Sequence, residues 1–442
     1  MAKNKVALVS LGCPKNLVNS EQMLYLLADA GFELVGEPEE ADCVVVNTCG
    51  FIESAKSEAI DTILALAELK KTGKLKSIVA TGCLVQRYQD EFTKELSEVD
   101  CALGTGSYGD IVEAVKSSLK GKGLCRYGDI DLPDPELGRI VSTGPGWAYL
   151  RIAEGCSNRC AYCVIPFIRG KYRSRKMEDV VEEAEALAKT GVKELIVVAQ
   201  DVTRYGTDLY GKHALPELLH KLCKIKGIEW VRLHYLYPDE FDDELIDTIA
   251  SEKKILKYID VPLQHIDDTI LKRMNRRGTG AEIRALLTKL RERIPGVVIR
   301  TSLIVGLPGE GEEEFAELCS FLKEAKMERA GVFVFSPEEG TPAAAMEDRC
   351  STEEAEKRQE IVMELQEQIM DEWSRGFIGK DVRVLCEGYD EEMGMQFGRT
   401  YADSPEIDGI VFFSGECPAG QIVLVHIDEF VDGEWHGAVV EG

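Results

Sequence analysis

Short apolar strands and amphipathic helices alternate along this chain twice over, and that repetition leaves few folds open. Lys5–Ser10, Cys43–Asn47 and Ser77–Ala80 are rich in Val, Ile and Leu and predict strands. Asn19–Ala30, Glu53–Leu69 and Gly109–Leu119 carry apolar residues at helical spacing and predict helices. Strand-then-helix order implies a parallel sheet covered on both faces, so residues 1–135 are expected to form an open doubly wound α/β domain. Tyr127–Gly146, rich in Gly, Pro and Asp, predicts a linker. A second alternation starts at Trp147. Its strands are expected at Ala148–Ile152, Glu194–Ala199, Trp230–Leu233, Tyr258–Val261, Val297–Val305 and Gly331–Phe335. Helices fall between them, among them Met177–Thr190, Leu215–Lys224, Asp242–Ser251, Ala281–Ile294 and Glu312–Ala325. Six such units fit a partial TIM-type (β/α)6 barrel, and chemistry on such a barrel belongs at the carboxyl ends of the strands. Thr352–Arg375 predicts a long charged connecting helix. Beyond it, residues 377–442 hold short runs (Asp381–Cys386, Ile410–Phe413, Gln421–Ile427) broken by Gly, Asp and Pro, which predict a small antiparallel β-barrel.

The loop after the first strand of the second alternation reads Glu154-Gly155-Cys156-Ser157-Asn158-Arg159-Cys160-Ala161-Tyr162-Cys163. Its Cys-x3-Cys-x2-Cys spacing offers three thiolates to a four-iron cluster and leaves one iron open, whereas electron-transfer clusters close every iron with Cys. An open iron can hold the amine and carboxylate of S-adenosylmethionine and pass an electron into it, giving a radical able to take hydrogen from an unactivated C–H bond. Zinc or buried thiols are the other readings. Zinc sites come as paired Cys-x2-Cys or with His, and this run has no His and no second Cys pair nearby.

Three more cysteines recur where a strand ends and a helix begins: Cys13 in Gly12-Cys13-Pro14-Lys15-Asn16, Cys49 in Asn47-Thr48-Cys49-Gly50, and Cys83 in Thr81-Gly82-Cys83-Leu84. In a doubly wound sheet such turns converge at the carboxyl edge. They could hold a second four-iron cluster, steadied by helix N-termini, or they could be separate buried thiols. Cys101, near another strand start, competes for the same role, and Cys43 sits inside a strand. Cys125, Cys223, Cys319, Cys350, Cys386 and Cys417 are isolated and read as structural.

These two cysteine sets, followed by a small β-barrel, resemble the radical-SAM methylthiotransferases over essentially the whole chain. On that resemblance residues 1–135 are the family's flavodoxin-like domain, 142–375 its radical barrel and 377–442 its TRAM domain. Gly12-Cys13-Pro14-Lys15-Asn16-Leu17-Val18, Asn47-Thr48-Cys49-Gly50-Phe51-Ile52, Gly82-Cys83-Leu84-Val85-Gln86-Arg87-Tyr88, Arg232-Leu233-His234-Tyr235-Leu236-Tyr237-Pro238 and Asp260-Val261-Pro262-Leu263-Gln264-His265 are similar to the branch that modifies protein twelve of the small ribosomal subunit. The tRNA-modifying branch usually reads Pro-Val-Gln-Ser-Gly-Ser where this chain has Pro262-Leu263-Gln264-His265-Ile266-Asp267. Asn19 is a departure, since that branch usually carries Asp before Ser20-Glu21.

The resemblance implies two 4Fe-4S clusters, one on Cys13, Cys49 and Cys83, the other on Cys156, Cys160 and Cys163. It also implies that S-adenosylmethionine supplies both methyl group and radical, and that a methylthio group is added to the β-carbon of an aspartate. Gln200 and Asp201 after the second barrel strand, Thr301 and Ser302 on the fifth, and Ser336 in the segment Phe335–Thr341 resemble cofactor contacts. Arg173 and Arg175, in a basic run beyond the triple-Cys loop, suit a carboxylate of cofactor or substrate. His234, Tyr235, Tyr237 and His265 are candidates to line a substrate cavity.

The chain carries 78 acidic against 52 basic residues, a net charge of −26, which by itself fits either solubility or a basic partner. Residues 377–442 hold three basic residues (Lys380, Arg383, Arg399) and fourteen acidic ones. Such a surface should repel tRNA and attract a Lys/Arg-rich ribosomal protein. A tRNA adenosine methylthiotransferase and an iron–sulfur carrier are the competing functions. A small electron donor such as flavodoxin or ferredoxin is an expected partner. Fourteen cysteines without a secretion signal or an apolar run of membrane length point to a cytoplasmic location.

Overall fold

The computed structural model describes residues 3–133 and 135–440. Two compact units emerge. One takes in the chain up to Ser142 together with Ala153–Arg175 and Ser336–Ala344; the other takes in Thr143–Ile152, Lys176–Phe335 and the chain from Ala345 onward. Residues 142–375, expected as barrel and connecting helix, are divided between the two units. The triple-Cys loop and the segment after the sixth barrel strand pack with the first unit, for reasons given below.

The first unit is built on six parallel strands, β1 (Lys5–Ser10), β2 (Glu33–Leu34), β3 (Cys43–Thr48), β4 (Ser77–Gly82), β5 (Cys101–Leu103) and β6 (Leu124–Arg126). Their order is β2-β1-β3-β4-β5-β6, the flavodoxin-like arrangement. Alternate residues of the central strands feed opposite faces. Val44, Val46, Ile78 and Ala80 pack with Ile63 and Leu66 of helix Glu53–Lys71. Val45, Val79 and Leu103 pack with Met23 and Leu27 of helix Pro14–Asp29 and with Ile111 and Val115 of helix Ile111–Ser118. Helix Pro14–Asp29 starts five residues before the expected Asn19, directly after Cys13. Pro14 at the first helical position explains it, since a missing N–H costs nothing there.

Two short strands, β7 (Trp147–Arg151) and β8 (Ala153–Glu154), follow in the chain, with β7 in the second unit and β8 in the first. In the first unit β8 pairs antiparallel with β9 (Arg173–Ser174), so the segment carrying the triple-Cys loop leaves and returns through a two-stranded neck.

In the second unit β7 joins β10 (Glu194–Val198), β11 (Trp230–Leu233), β12 (Ile255–Asp260), β13 (Val298–Val305) and β14 (Arg329–Val334) in one open parallel sheet ordered β14-β13-β12-β11-β10-β7. Sequential order with helices between strands is the pattern of a partial (β/α)6 barrel. Helix Thr352–Arg375 leads from it into a closed five-stranded barrel of β15 (Asp381–Asp390), β16 (Met395–Arg399), β17 (Val411–Ser414), β18 (Ile422–Val431) and β19 (Glu434–Val439). This terminal barrel was expected to be antiparallel throughout. The structure corrects that, because β17 and β19 run parallel. The barrel order is β15-β16-β17-β19-β18, and closing the sheet that way puts two same-direction strands side by side.

Candidate functional site

β1, β3 and β4 are neighbours in the first sheet and run parallel, so their carboxyl ends share one edge. Cys13 lies just beyond β1 as the N-cap of its helix, Cys49 follows Thr48 at the end of β3, and Cys83 follows Gly82 and opens helix Cys83–Tyr88. Two glycines let the three turns close up. Gly12 has φ +89°, and a Cβ there would stand 2.9 Å from the sulfur of Cys49. A Cβ on Gly50 would stand 2.7 Å from the Cα of Leu84 and 3.1 Å from the carbonyl carbon of Cys83. Any side chain at either position would push the thiols apart. Asn47 locks the edge by donating to the Asn16 carbonyl at 2.9 Å and to Ser20 Oγ at 2.8 Å.

Cys101 and Cys43 are not part of this group. Each opens its strand, and so stands at the opposite end of the parallel sheet. Cys43 lies 3.7 Å from Ser118 Oγ, and Cys101 donates to the Lys122 carbonyl at 3.5 Å. Both are buried, which raises each thiol to about 11.

The triple-Cys loop is held by backbone bonds. Cys156 N–H donates to the Gly170 carbonyl at 3.1 Å, and Cys163 N–H to the Cys160 carbonyl at 3.0 Å. One residue past Cys163, Val164 joins Ile168 and Cys83 in a single buried apolar cluster. The short helix Ile165–Arg169 thereby brings the segment of one cysteine set against a member of the other.

Arg169 ends that helix and is buried. Its guanidinium donates to Cys83 Sγ at 3.2 Å, Asn16 Oδ1 at 2.9 Å, Asn19 Oδ1 at 2.8 Å and Glu154 Oε2 at 3.0 Å. Among the described residues Glu154 is the one carboxylate that pairs with it. Burial pushes the Cys13 thiol up, yet Lys15 and Arg169 outweigh burial and leave it below the usual thiol range. Burial and the neighbouring Cys83 push Cys49 up to about 12, and burial raises Cys83 despite Arg169. Asn19, Glu154 and Arg169 also line a cavity of about 210 Å³ with Gln22, Ser107 and Tyr108. None of the six thiols expected to hold clusters lines it.

A second polar tie in this unit involves Glu338, in the segment after the sixth barrel strand. Its buried carboxylate accepts from Arg87 at 2.7 Å and Ser336 Oγ at 2.6 Å, and Lys56 lies 3.3 Å away. Burial raises this carboxyl, but Ser336, Arg87 and Lys56 together hold it below the ordinary carboxylate range. Arg87 also donates to the Gly50 carbonyl at 3.0 Å and the Glu339 carbonyl at 3.1 Å, so Ser336 is fixed to the turn that follows Cys49.

The other expected contacts lie in both units. Gln200 and Asp201 follow the end of β10, with Asp201 accepting from Thr203. Thr301 and Ser302 sit within β13, and Thr301 Oγ1 donates to the Val261 carbonyl at 2.8 Å. In the first unit Arg173 donates to the Arg169 and Lys171 carbonyls at 3.0 and 2.7 Å, and the Arg175 guanidinium engages the Glu136 carboxylate. Glu136 thus already supplies a carboxylate to Arg175.

His234 and His265, candidates to line a substrate cavity, have neighbours within the second unit. Both are buried. His234 Nε2 pairs with Ser404 Oγ of the terminal barrel at 2.9 Å, while His265 Nε2 stands 3.3 Å from Glu310. Tyr237 is also buried, with Arg276 over its ring at 4.2 Å. These motif residues hold the second unit together. Asn16 and Glu154 are residues that sequence reasoning gave no role, and Arg169 stood in the basic run it singled out, where Arg173 and Arg175 were favoured instead. The available signal was Arg169 in a short helix directly after Cys163, but nothing in the sequence distinguished it from Lys171, Arg173 and Arg175.

Among the described residues no group of three Cys, His, Asp or Glu side chains converges on a single metal ion. A four-iron cluster asks for something different, since each thiolate binds a different iron around a bulky core. The Cys13, Cys49 and Cys83 donors, with Gly12 leaving room and Arg169 donating to sulfur, suit such a cluster.

Family comparisons agree with this layout. Residues 150–322 match the Radical SAM superfamily, 5–104 match Uncharacterized protein family UPF0004, and 378–440 match the TRAM domain. The class is therefore a radical-SAM protein with a TRAM barrel. The chain is 50% identical to the ribosomal protein uS12 methylthiotransferase RimO of Lachnoclostridium phytofermentans, over 96% of this chain and 97% of that one. It is 49% identical to the RimO of Caldanaerobacter subterraneus subsp. tengcongensis, over 96% and 98%. The chain belongs to the RimO family. The radical S-adenosylmethionine methyltransferase TsrM of Kitasatospora setae shares the fold at TM-score 0.57 and 16% identity, over 75% of this chain and 73% of that one.

Proposed function

We propose that the chain modifies ribosomal protein uS12 by adding a methylthio group, with the β-carbon of an aspartate as the point of attachment. The observation that carries this reading is 50% identity to a RimO relative over 96% of the chain, joined to a first unit in which Cys83 packs in one apolar cluster with Val164 and Ile168, just past Cys163. It is a S-adenosylmethionine-dependent transferase that uses two four-iron clusters. Cys156, Cys160 and Cys163 hold the radical-forming cluster, and Cys13, Cys49 and Cys83 hold the other. Bound there, cluster and S-adenosylmethionine supply a radical strong enough for an unactivated C–H bond. A β C–H of aspartate is too weakly acidic for general-base removal, which is why such chemistry is needed.

The chain's own residues bind and orient. Gln200, Asp201, Thr301, Ser302 and Ser336 contact S-adenosylmethionine, with Ser336 steadied through Glu338 by Arg87 and Lys56. Arg173 and Arg175 bind a carboxylate of cofactor or substrate, and Arg175 does so by exchanging Glu136 for it. Electrons come from a small donor such as flavodoxin or ferredoxin, and tRNA is not a substrate. Surface charge supports a basic protein partner. Arg399 is buried and paired with Glu194 and Glu387, which removes one of the three basic residues of the terminal barrel from its surface. Asp381, Glu391, Glu392, Asp428, Glu429 and Asp432 remain exposed there. Among the described residues no helix is long and apolar enough to cross a membrane. A ribosomal protein substrate favours a cytoplasmic reaction.

Mass spectrometry of uS12 from cells with and without the gene tests this reading. The expected result is a methylthio group on an aspartate that disappears with the gene and with a Cys156/Cys160/Cys163 triple-Ala variant. Unmodified uS12 in both strains, or a methylthio group gained by tRNA instead, would overturn it.

A further inference from the structure

We propose that Arg169 sets the reduction potential of the cluster on Cys13, Cys49 and Cys83, and that Asn19 and Glu154 set how much of its charge that cluster feels. This rests on the reading of those three cysteines as cluster ligands. Arg169 reaches Cys83 Sγ directly at 3.2 Å, from the helix that follows the other cysteine set. An N–H donor on a ligand sulfur and a buried positive charge beside it both stabilise added electrons, so both raise the potential. Burial leaves little water to screen the charge.

The opposite edge of the guanidinium settles the balance. Its other nitrogen is shared between Glu154 Oε2 and Asn19 Oδ1, at 3.0 and 2.8 Å. Arg169 with Glu154 sums to zero formal charge. An acidic residue at position 19 would take the local sum to −1 while keeping the hydrogen bond. Asn19, buried and nearly isosteric with Asp, keeps the bond and withholds the charge. Its Nδ2 donates to Gln22 Oε1 at 3.4 Å, and an amide turn of Gln22 would serve an Asp equally well. Arg169 is a positioning and tuning residue here; it acts through the sulfur.

The charge count makes signed forecasts. In the full chain carrying Cys156→Ala, Cys160→Ala and Cys163→Ala, reconstituted anaerobically, the remaining cluster is titrated by redox-poised electron paramagnetic resonance. Arg169→Gln removes both charge and sulfur bond, and should lower the reduced-to-oxidised ratio at fixed poise by about tenfold or more, equivalent to about 59 mV for one electron. Asn19→Asp should lower it in the same direction by a smaller factor. Glu154→Gln should raise it. Arg169→Lys should fall between wild type and Arg169→Gln. A merely structural role would not move Asn19→Asp and Glu154→Gln in opposite directions. If both shift alike, or neither shifts, with iron retained, the inference is wrong. If the triple-Ala background binds no iron, the ligand assignment itself fails and the inference falls with it. Should Arg169→Gln not hold iron, the near-isosteric Asn19→Asp and Glu154→Gln pair still decides the matter.

Discussion

Two buried arginine networks, one in each unit, differ in what they leave over. In the second unit Glu194 bridges Arg232 at 2.7 Å and Arg399 at 2.8 Å, and Arg399 also meets Glu387 at 2.8 Å. Arg232 spends its remaining donors on the Thr400 and Tyr401 carbonyls, at 3.1 and 2.9 Å. Two cations face two carboxylates, and the donors end on backbone or carboxylate oxygen. In the first unit Arg169 has a single carboxylate partner among the described residues, takes two neutral amide oxygens, and gives a donor to sulfur. A closed network ties the parallel sheet to the terminal barrel. The other puts a guanidinium on the sulfur of Cys83. Burial is common to both; they differ in whether every donor ends on oxygen.

The strongest way to break this contrast is Glu194→Ala. It leaves the buried Arg232 guanidinium without a carboxylate and takes one of two from Arg399, and removing one partner of a buried pair costs about 3–5 kcal/mol. Urea unfolding of the full chain should show that loss; a cost near zero would mean the seam is not held by this network. The pH dependence has a defined sign. Burial raises the Glu194 carboxyl, but Arg399 and Arg232 outweigh burial and hold it below its ordinary 4.5. Its contribution is then fully present above pH 4.5 and lost as pH falls through the lower folded value. The stability gap between wild type and Glu194→Gln should close on acidification in that window, and a gap that widens would contradict the assignment.

An intermediate effect is expected at Glu338, whose carboxylate serves Arg87, Lys56 and Ser336 within the first unit. Glu338→Gln weakens charge-assisted bonds worth about 1.5–3 kcal/mol. Hydrogen exchange should show segment 336–344 losing protection while β1, β3 and β4 keep theirs. Uniform loss across the unit would mean that the tie is not local.

The smallest effect sharpens the role of burial. Arg383 meets Glu229 at 2.7 Å, as close as the buried pairs, but both side chains are substantially exposed. Arg383→Ala should cost less than about 1 kcal/mol in the same urea series. A cost rivalling that of Glu194→Ala would show that distance, not burial, governs these networks.

Much of this layout was legible before any coordinates. Hydrophobic spacing placed β1, β11 and helices Leu215–Lys224, Glu312–Ala325 and Thr352–Arg375 at their observed limits. Periodicity works for these helices because one face of each is buried. It failed on β2 and β6, two and three residues long, which are too short to show any period. It missed the parallel β17–β19 pair because strand direction in a barrel is a closure property. His234 and His265 stood in motifs beside strand ends as candidates for a substrate cavity, and their partners Ser404 and Glu310, 170 and 45 residues further on, could not be read locally.

The local sequence determined which residues carry sulfur and where in the strand–helix rhythm they stand, because spacing and hydrophobic period are written in neighbouring positions. Only the tertiary structure decided that Cys83 meets the helix behind Cys163, and that Arg169, rather than Arg173 or Arg175, is the cation on its sulfur. Those pairings join positions more than eighty residues apart along the chain. Such pairings depend on which distant segments the folded chain brings together, and no local pattern records that.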